Sequence, residues 1–376
     1  MNDKTVTSME IKQFNKDLIF QFIRKHGMVS KRDVQMGLEL SLPTTTQHIN
    51  ELIKDGLVKE AGTVGNTGGR SAKTYTAVND ARISVGIDIT KNHTSFVAVD
   101  LTGNTICFER VAVSFVHTEE YFSQLGAALD KFVEDNKLDK KRILGVGIGV
   151  PGITTEDNKL IRFGDTIGLS GVTVDTFSKY IRYETKLIND ANAAGFSEVW
   201  THNSPPNMFY ILLSSFVGGA VIIDNKVYSG DEFRSGEVGH VIIHNNGRQC
   251  YCGQKGCADA YLASTNLSDT TDGNLELFFE NVKNGEANAI KVWNEYLHDL
   301  ALVVRDIRML FNCKIVIGGY VGKYMNDYIE QFKKLMKSYC TFDSDADYVM
   351  ACKYKGSPIA AGAALSYIDD FLKANN

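Results

Sequence analysis

Apolar positions follow helical spacing in the first part of the chain and change to alternating and continuous runs near residue 80. From about Glu10 to His26, Ile11, Phe14, Leu18 and Phe22 mark one face of a helix, and Gly27 supplies its stop. In "SKRD", Ser30 and Asp33 fit a capping box ahead of a second helix with Val34 and Leu38 buried. "SLPTTTQHINELIKDGLV" predicts a third helix that Ser41 caps, Pro43 starts and Gly56 ends, with Ile49, Leu52 and Ile53 facing inward. Its outward face is then Thr44, Thr46, Gln47, His48 and Asn50. "LVKEAG" reads as a strand, and "TVGNTGGRSAKTYTAV" as a hairpin turning at Gly68 and Gly69, with Arg70 and Lys73 near the tip.

Beyond Val78 to Ala81 the pattern repeats itself. "ISVGIDITKNHTSFVAVD" predicts two strands joined by a tight turn, "YFSQLGAALDKFVEDN" a helix, "ILGVGIGVPG" a buried strand running into a glycine and proline loop, and "ETKLINDANAAGFSEVW" a strand followed by a helix. "MFYILLSSFVGGAVIIDNKVYSG" is again strand, turn and strand, and "CKIVIGGYVG" is a later buried strand ending in glycines. Such a cycle of hairpin, helix and strand, met twice, predicts two α/β lobes around a cleft. The segment "ANAIKVWNEYLHDLALVVRDIRMLF" places Ile290, Trp293, Leu297, Leu300, Val304 and Ile307 on one helical face, suited to core or dimer packing.

Length and composition narrow the class. At 376 residues the chain exceeds one ordinary core, and 44% hydrophobic with 23% charged residues is the balance of a soluble globular protein. No apolar run reaches the roughly 18 residues of a membrane span, and Met1 to Ser8 has no secretory apolar core, so a cytoplasmic protein is expected. Charge is uneven: residues 1–80 hold 11 Lys and Arg against 9 Asp and Glu, within a chain of net charge −5. Nucleic acid, if bound, belongs at the N-terminus.

Three short helices, a polar face on the third, then a strand and a glycine-tipped hairpin form the order of a winged helix-turn-helix. An arginine on such a wing suits a minor groove, where negative potential is strongest. The expectation is a domain over residues 1–80 that binds double-stranded DNA through Thr44, Thr46, Gln47, His48, Asn50, Arg70 and Lys73. A three-helix module for protein contact shares the pattern; Arg70 and the local positive balance favour DNA.

The 7 cysteines are an odd number, and Cys107, Cys313, Cys340 and Cys352 stand singly, so they do not read as a disulfide framework. His240, Cys250, Cys252 and Cys257 form an H-x9-C-x-C-x4-C array, whose three thiolates and one imidazole suit tetrahedral zinc. With four protein ligands no position is left for water activation, so the predicted Zn2+ is structural.

"GVGIGVPG", "LINDANAAGFSE", "GDEFRSGEVGHVII" and "CYCGQKGCADAYLAS" occur in the order and spacing of the ROK family, whose name joins repressors and kinases. With the winged helix and the "TGGR" wing, the chain most resembles that family's transcriptional repressors of sugar metabolism, along nearly its whole length. The resemblance implies an α/β, actin-like (ribonuclease H-like) fold of two lobes, 81–195 and 196–376, the second carrying the zinc loop and a last helix that returns to the first. It also implies a sugar site of Asn189, Asp190, Glu237 and His240, with Asp190 the counterpart of the kinase base, His240 also on zinc, and Gly152 letting backbone approach the ring. Where the family has glutamate two residues after the last zinc cysteine, this chain has Asp259, one methylene shorter, which points to a different, larger or water-bridged sugar ligand. Read without the resemblance, Asn189 and Asp190 also suit a helix N-cap.

Phosphoryl transfer needs backbone N–H groups close to phosphate oxygens, hence glycine-rich turns in both lobes. Here Thr90, Lys91 and Asn92 stand where the family's kinases have glycine, glycine and threonine, and the second turn reads Ser215, Phe216 and Val217 before Gly218 and Gly219. No catalytic residue is therefore expected. The expected function is a sugar-responsive DNA-binding repressor, homodimeric or tetrameric. The alternatives are an ATP-dependent sugar kinase with a DNA-binding head, which shares fold, zinc and sugar site, and a sugar sensor that binds protein.

Overall fold

Local capping sets the first helices, α1 (Ser8–His26), α2 (Lys31–Leu38) and α3 (Leu42–Lys54). Ser30 Oγ accepts from Asp33 N at 3.2 Å while the Asp33 carboxylate accepts from Ser30 N at 2.8 Å, and Ser41 Oγ accepts from Thr44 N at 3.3 Å. The strands β1 (Val29–Ser30), β2 (Val58–Val64) and β3 (Ala72–Ala77) form an antiparallel sheet in the order β1-β3-β2, completing a winged helix. In this computed structural model the described residues are 7–64, 72–339, 342–343, 345–354 and 356–374; Gly68, Gly69 and Arg70 lie outside them.

Two expectations for these helices change. The buried stripe of α1 is Ile19, Phe20 and Ile23, whereas Ile11 and Phe14 are 50% and 51% exposed. Among the described residues, the buried apolar positions of α1 lie in its C-terminal half. His48 is also not outward: it is 3% exposed, in the core stripe with Thr45, Ile49 and Leu52, and its Nδ1 lies 3.0 Å from Glu51 Oε2. Positions 45, 48, 49 and 52 share one helical face, so burying Ile49 and Leu52 carries His48 inward.

Next come β4 (Ile83–Ile89), β5 (Thr94–Asp100), β6 (Thr105–Val111), α4 (Glu119–Asp135), β7 (Ile143–Val150), the short pair β8 (Ile153–Thr154) and β9 (Ile161–Phe163), α5 (Val174–Ser178), β10 (Thr185–Asn189) and α6 (Asp190–Val199). The sheet order is β10-β7-β4-β5-β6, an antiparallel meander of β4, β5 and β6 extended by the parallel strands β7 and β10.

The second half contains β11 (Met208–Leu213), β12 (Val217–Ile223), β13 (Lys226–Tyr228), α7 (Asp259–Leu262), α8 (Thr265–Ser268), α9 (Leu275–Lys283), α10 (Ala287–Phe311), β14 (Lys314–Gly318), α11 (Gly319–Gly322), α12 (Met325–Met336), β15 (Val349–Ala351) and α13 (Pro358–Ala374). Its sheet, β13-β12-β11-β14-β15, repeats the first arrangement: meander, crossover through a long helix, then two parallel strands. Trp293, Leu297, Leu300, Val304 and Ile307 of α10 are buried in the core of this half, and Ile290 is half exposed.

The halves exchange helices. α6, which follows the first sheet, packs on β11 and β12, while α13, which follows the second, packs on β4, β5 and β7. A Cβ on Gly86 or Gly147 would overlap the Ala360 or Ala363 carbonyl of α13, so glycine is required for that approach. Ile19, Phe20 and Ile23 of α1 share one core with Val97 and Val99 of β5 and with Ala364 and Ile368 of α13. The winged helix is thus seated on the body by buried apolar surface. Among the described residues no helix is long and apolar enough to cross a membrane.

Candidate functional site

The strand ends of both sheets meet at a cleft of about 580 Å³. β10 delivers Asn189 and α6 starts at Asp190, which puts both side chains at its floor. Asn189 is committed to local structure: Oδ1 accepts from Asn192 N at 2.9 Å, capping α6, and Nδ2 donates to Gly152 O at 3.0 Å. Gly152 lines the cleft, but a Cβ there would overlap the Phe163 carbonyl, so the glycine makes room for β9 rather than for a ligand. Asp190 Oδ1 accepts from Ala191 N at 2.8 Å. Burial, with Asp88 and Glu237 nearby, raises the Asp190 carboxyl to about 7 against the backbone bonds that oppose it.

Asp88, at the end of β4 and 7% exposed, is likewise pushed by burial to about 7, with Arg110 of β6 pulling the other way. Tyr320 of α11 lies within the field of Asp88, Arg110 and Asp190, and burial raises its hydroxyl. On the opposite wall, a 3-10 turn over Val238–His240 brings Glu237 and His240 to the cleft. Glu237 is raised by desolvation, opposed by His240 and Arg234. The mouth is bridged by Arg234, whose guanidinium lies 5.3 Å from the Phe163 ring centroid.

The sulfur and nitrogen atoms of His240, Cys250, Cys252 and Cys257 all lie within 4.8 Å of one another. Cys252 and Cys257 Sγ are 3.7 Å apart, and Cys250 Sγ is 3.9 Å from His240 Nδ1. Zinc–sulfur bonds of about 2.3 Å at tetrahedral angles require sulfur separations of about 3.8 Å, so the donor set fits such an ion. The knuckle is shaped by backbone bonds from Cys250 N to Gln254 O at 2.8 Å and from Gly253 N to Cys250 O at 3.0 Å. Gly253 takes a φ of 90°, which favours glycine.

Tyr251, between two of the cysteines, has its hydroxyl 3.2 Å from His240 Nε2 and its ring 5.4 Å from that of Phe216. The sequence reading did not find it, because the contact depends on how the knuckle folds. Asp259 does not reach the cleft: 6% exposed, its Oδ1 accepts from Val217 N at 2.7 Å. The shorter side chain therefore serves the turn before β12 instead of a ligand.

Both turns that could face a phosphate are closed. Thr90 N donates to His93 O at 3.0 Å, His93 N donates to Thr90 Oγ1 at 3.2 Å, and Thr90, Lys91 and Asn92 all have negative φ. In the second turn the Val217 amide is already bound by the Asp259 carboxylate.

On the third helix of the winged unit, Gln47 and Asn50 are exposed and Thr46 is half-buried, so these keep a polar surface. Thr44 Oγ1 lies 2.8 Å from Ser41 Oγ within the cap, and on the wing Lys73 pairs with Glu60 at 2.9 Å. The cleft and this unit are joined by α6. Its first residue is Asp190, and its C-cap, Trp200, lies 6.0 Å from the Arg24 guanidinium of α1. Arg24 also donates to Leu101 O at 3.2 Å, and Gln21 of α1 donates to Leu372 O of α13 at 3.4 Å.

Duplicated sheets that exchange helices over a polar cleft make this an actin-like, sugar-kinase-type fold bearing a winged helix. The chain belongs to the ROK family, whose profile matches residues 84–369. A solved ROK family transcriptional regulator, a homologue of the E. coli MLC protein, superposes with a TM-score of 0.74 at 20% identity, covering 97% of this chain and 98% of that one. The xylose repressor of Caldicellulosiruptor bescii is 24% identical over 354 residues, 87% of this chain and 88% of its own. The glucokinase of Halalkalibacterium halodurans is 26% identical over 242 residues, 58% of this chain and 73% of its own. The family thus holds both repressors and kinases.

Proposed function

We propose that this chain is a DNA-binding repressor of carbohydrate metabolism whose operator affinity responds to a sugar held in the cleft. The observation that carries the reading is the Val217 amide taken by Asp259 while Asp190 and Glu237 stay at the cleft. A carboxylate in that turn repels phosphate and removes a donor it would need, whereas carboxylates facing a cleft accept hydroxyl protons of a polyol. The winged helix supplies the DNA contact through Thr46, Gln47 and Asn50 on α3 and Lys73 on β3, with Arg70, which lies in the sequence between β2 and β3, as the expected minor-groove residue. A homodimer or tetramer in the cytoplasm would set two such units on successive major grooves.

The reading assigns His240, Cys250, Cys252 and Cys257 to one structural zinc, which when bound locks the knuckle to the cleft wall and supplies no reacting group. With Nδ1 as ligand, His240 carries its proton on Nε2 and donates it toward Tyr251, holding that hydroxyl over the cleft. Sugar binding at the start of α6 would shift that helix and, through Trp200 and Arg24, reorient α1.

A kinase reading draws on Asp190, whose carboxyl at about 7 suits a general base. Two closed turns oppose it. Incubation with ATP, Mg2+ and a panel of hexoses and pentoses separates the readings: the repressor reading expects no sugar phosphate, and sustained turnover would overturn it.

A further inference from the structure

We propose that the space beside the closed turns is a second sugar subsite, so that the effector is a disaccharide or a glycoside of similar length. The inference rests on the reading of the cleft as an effector site. A cavity of about 420 Å³ opens next to the cleft of about 580 Å³, and Pro151, Thr166, Asp190 and Phe216 line both. Each alone is within the size range of a ligand pocket, roughly 300 to 1,000 Å³. Loss of the glycine turns did not fill this space.

Its lining has the chemistry of polyol recognition. Asn92, Ser214, Ser215 and Thr265 offer uncharged donors and acceptors, and among the described residues Ser214 Oγ has no hydrogen-bond partner. Asp88 and Asp190 add two carboxylates, while Lys91 is the cation among the described lining residues and Arg110 lies behind Asp88. Only burial and the nearby Arg110 charge act on the Asp88 carboxyl, with no hydrogen bond to it among the described residues, which leaves it free to accept hydroxyl protons. A phosphate would meet two carboxylates and an amide already bound to a third, Asp259. Neutral hydroxyls suit this wall and phosphate does not.

Aromatic rings stand where two sugar rings would meet. Phe216 lies at the junction of the cavities, edge-on to Tyr251 with an interplanar angle of 74°, and Tyr320 lines the far side. The apolar C–H faces of pyranose rings pack on such surfaces while their hydroxyls reach the polar walls.

Calorimetric titration of the full chain with glucose, xylose, their phosphate esters, cellobiose, maltose and xylobiose tests this. A disaccharide should bind at least tenfold tighter than its constituent monosaccharide. Ser215→Trp, which fills only the second cavity, should erase that gain and leave monosaccharide affinity within twofold; the retained monosaccharide binding also reports a folded cleft. Asn92→Trp should repeat the result from the opposite wall. Equal affinity for mono- and disaccharides, tighter binding of a sugar phosphate, or an undiminished gain in both variants would overturn the subsite while leaving the effector site standing. No binding of any sugar would overturn the effector reading itself.

Discussion

Asp88→Asn is expected to stabilise the folded protein above neutral pH. The carboxylate is 7% exposed and its folded value is about 7, against an ordinary 3.8. A difference of about three units is worth about 4 kcal/mol at roughly 1.36 kcal/mol per unit. Because the folded state holds this proton more tightly than the unfolded chain, stability falls as pH rises from about 4 to about 7, and the full cost applies above that. Asp190 titrates alongside it, and the Arg110 charge is left without its counterpart, so the asparagine variant should gain about 1–3 kcal/mol at pH 8. At pH 5 the gain should be at most about half as large. Urea unfolding at both pH values, with the variant and the parent chain side by side, gives the difference directly. A gain independent of pH, or a loss at pH 8, would refute the reasoning. Asp88 lines the second cavity, so the same variant should bind a disaccharide more weakly while leaving the monosaccharide site in the cleft intact.

Trp200→Ala removes the contact between the end of α6 and Arg24; sugar affinity should stay within a few-fold while the coupling to DNA, about 1–3 kcal/mol, falls below about 0.5 kcal/mol in paired operator titrations. Cys257→Ser should lower zinc content from one per chain to a substoichiometric value by elemental analysis and weaken sugar binding, since His240 loses its anchor. Asn50→Ala should cost about 1–3 kcal/mol in operator binding with an unchanged salt slope, whereas Lys73→Ala should reduce that slope by about one; the reverse pattern would exchange their roles.

Features governed by neighbours in sequence were legible without coordinates. The Ser30 and Asp33 box, the Ser41 cap and the repeat of hairpin, helix and strand follow from spacing and turn residues, though the third strand of each meander does not, and the four candidate metal donors sit within eighteen positions of each other. What sequence reading misplaced depends on packing at a distance. The buried face of α1 is set by α2, α3 and β3 and by the core shared with β5 and α13, and among the described residues Ile11 and Phe14 keep helical spacing while exposed. His48 went inward because its position on α3 falls in line with Ile49 and Leu52. Asp259 bonds Val217 across 42 positions, and Trp200 meets Arg24 from the far end of α6, contacts that local patterns do not carry. Asn189 was open to two roles, and its side chain is used as the cap, leaving Asp190 as the polar group of that pair turned to the cleft.

Fluorescence anisotropy on a duplex selected by the full chain from random DNA, titrated with and without the best-binding sugar, tests the central claim most directly. The account predicts that sugar changes duplex affinity severalfold to about a hundredfold, a coupling of about 1–3 kcal/mol, and that Asp190→Ala abolishes this response while binding the duplex as well as the parent chain does without sugar. Tight sugar binding with no change in duplex affinity, or a full response in Asp190→Ala, would contradict it.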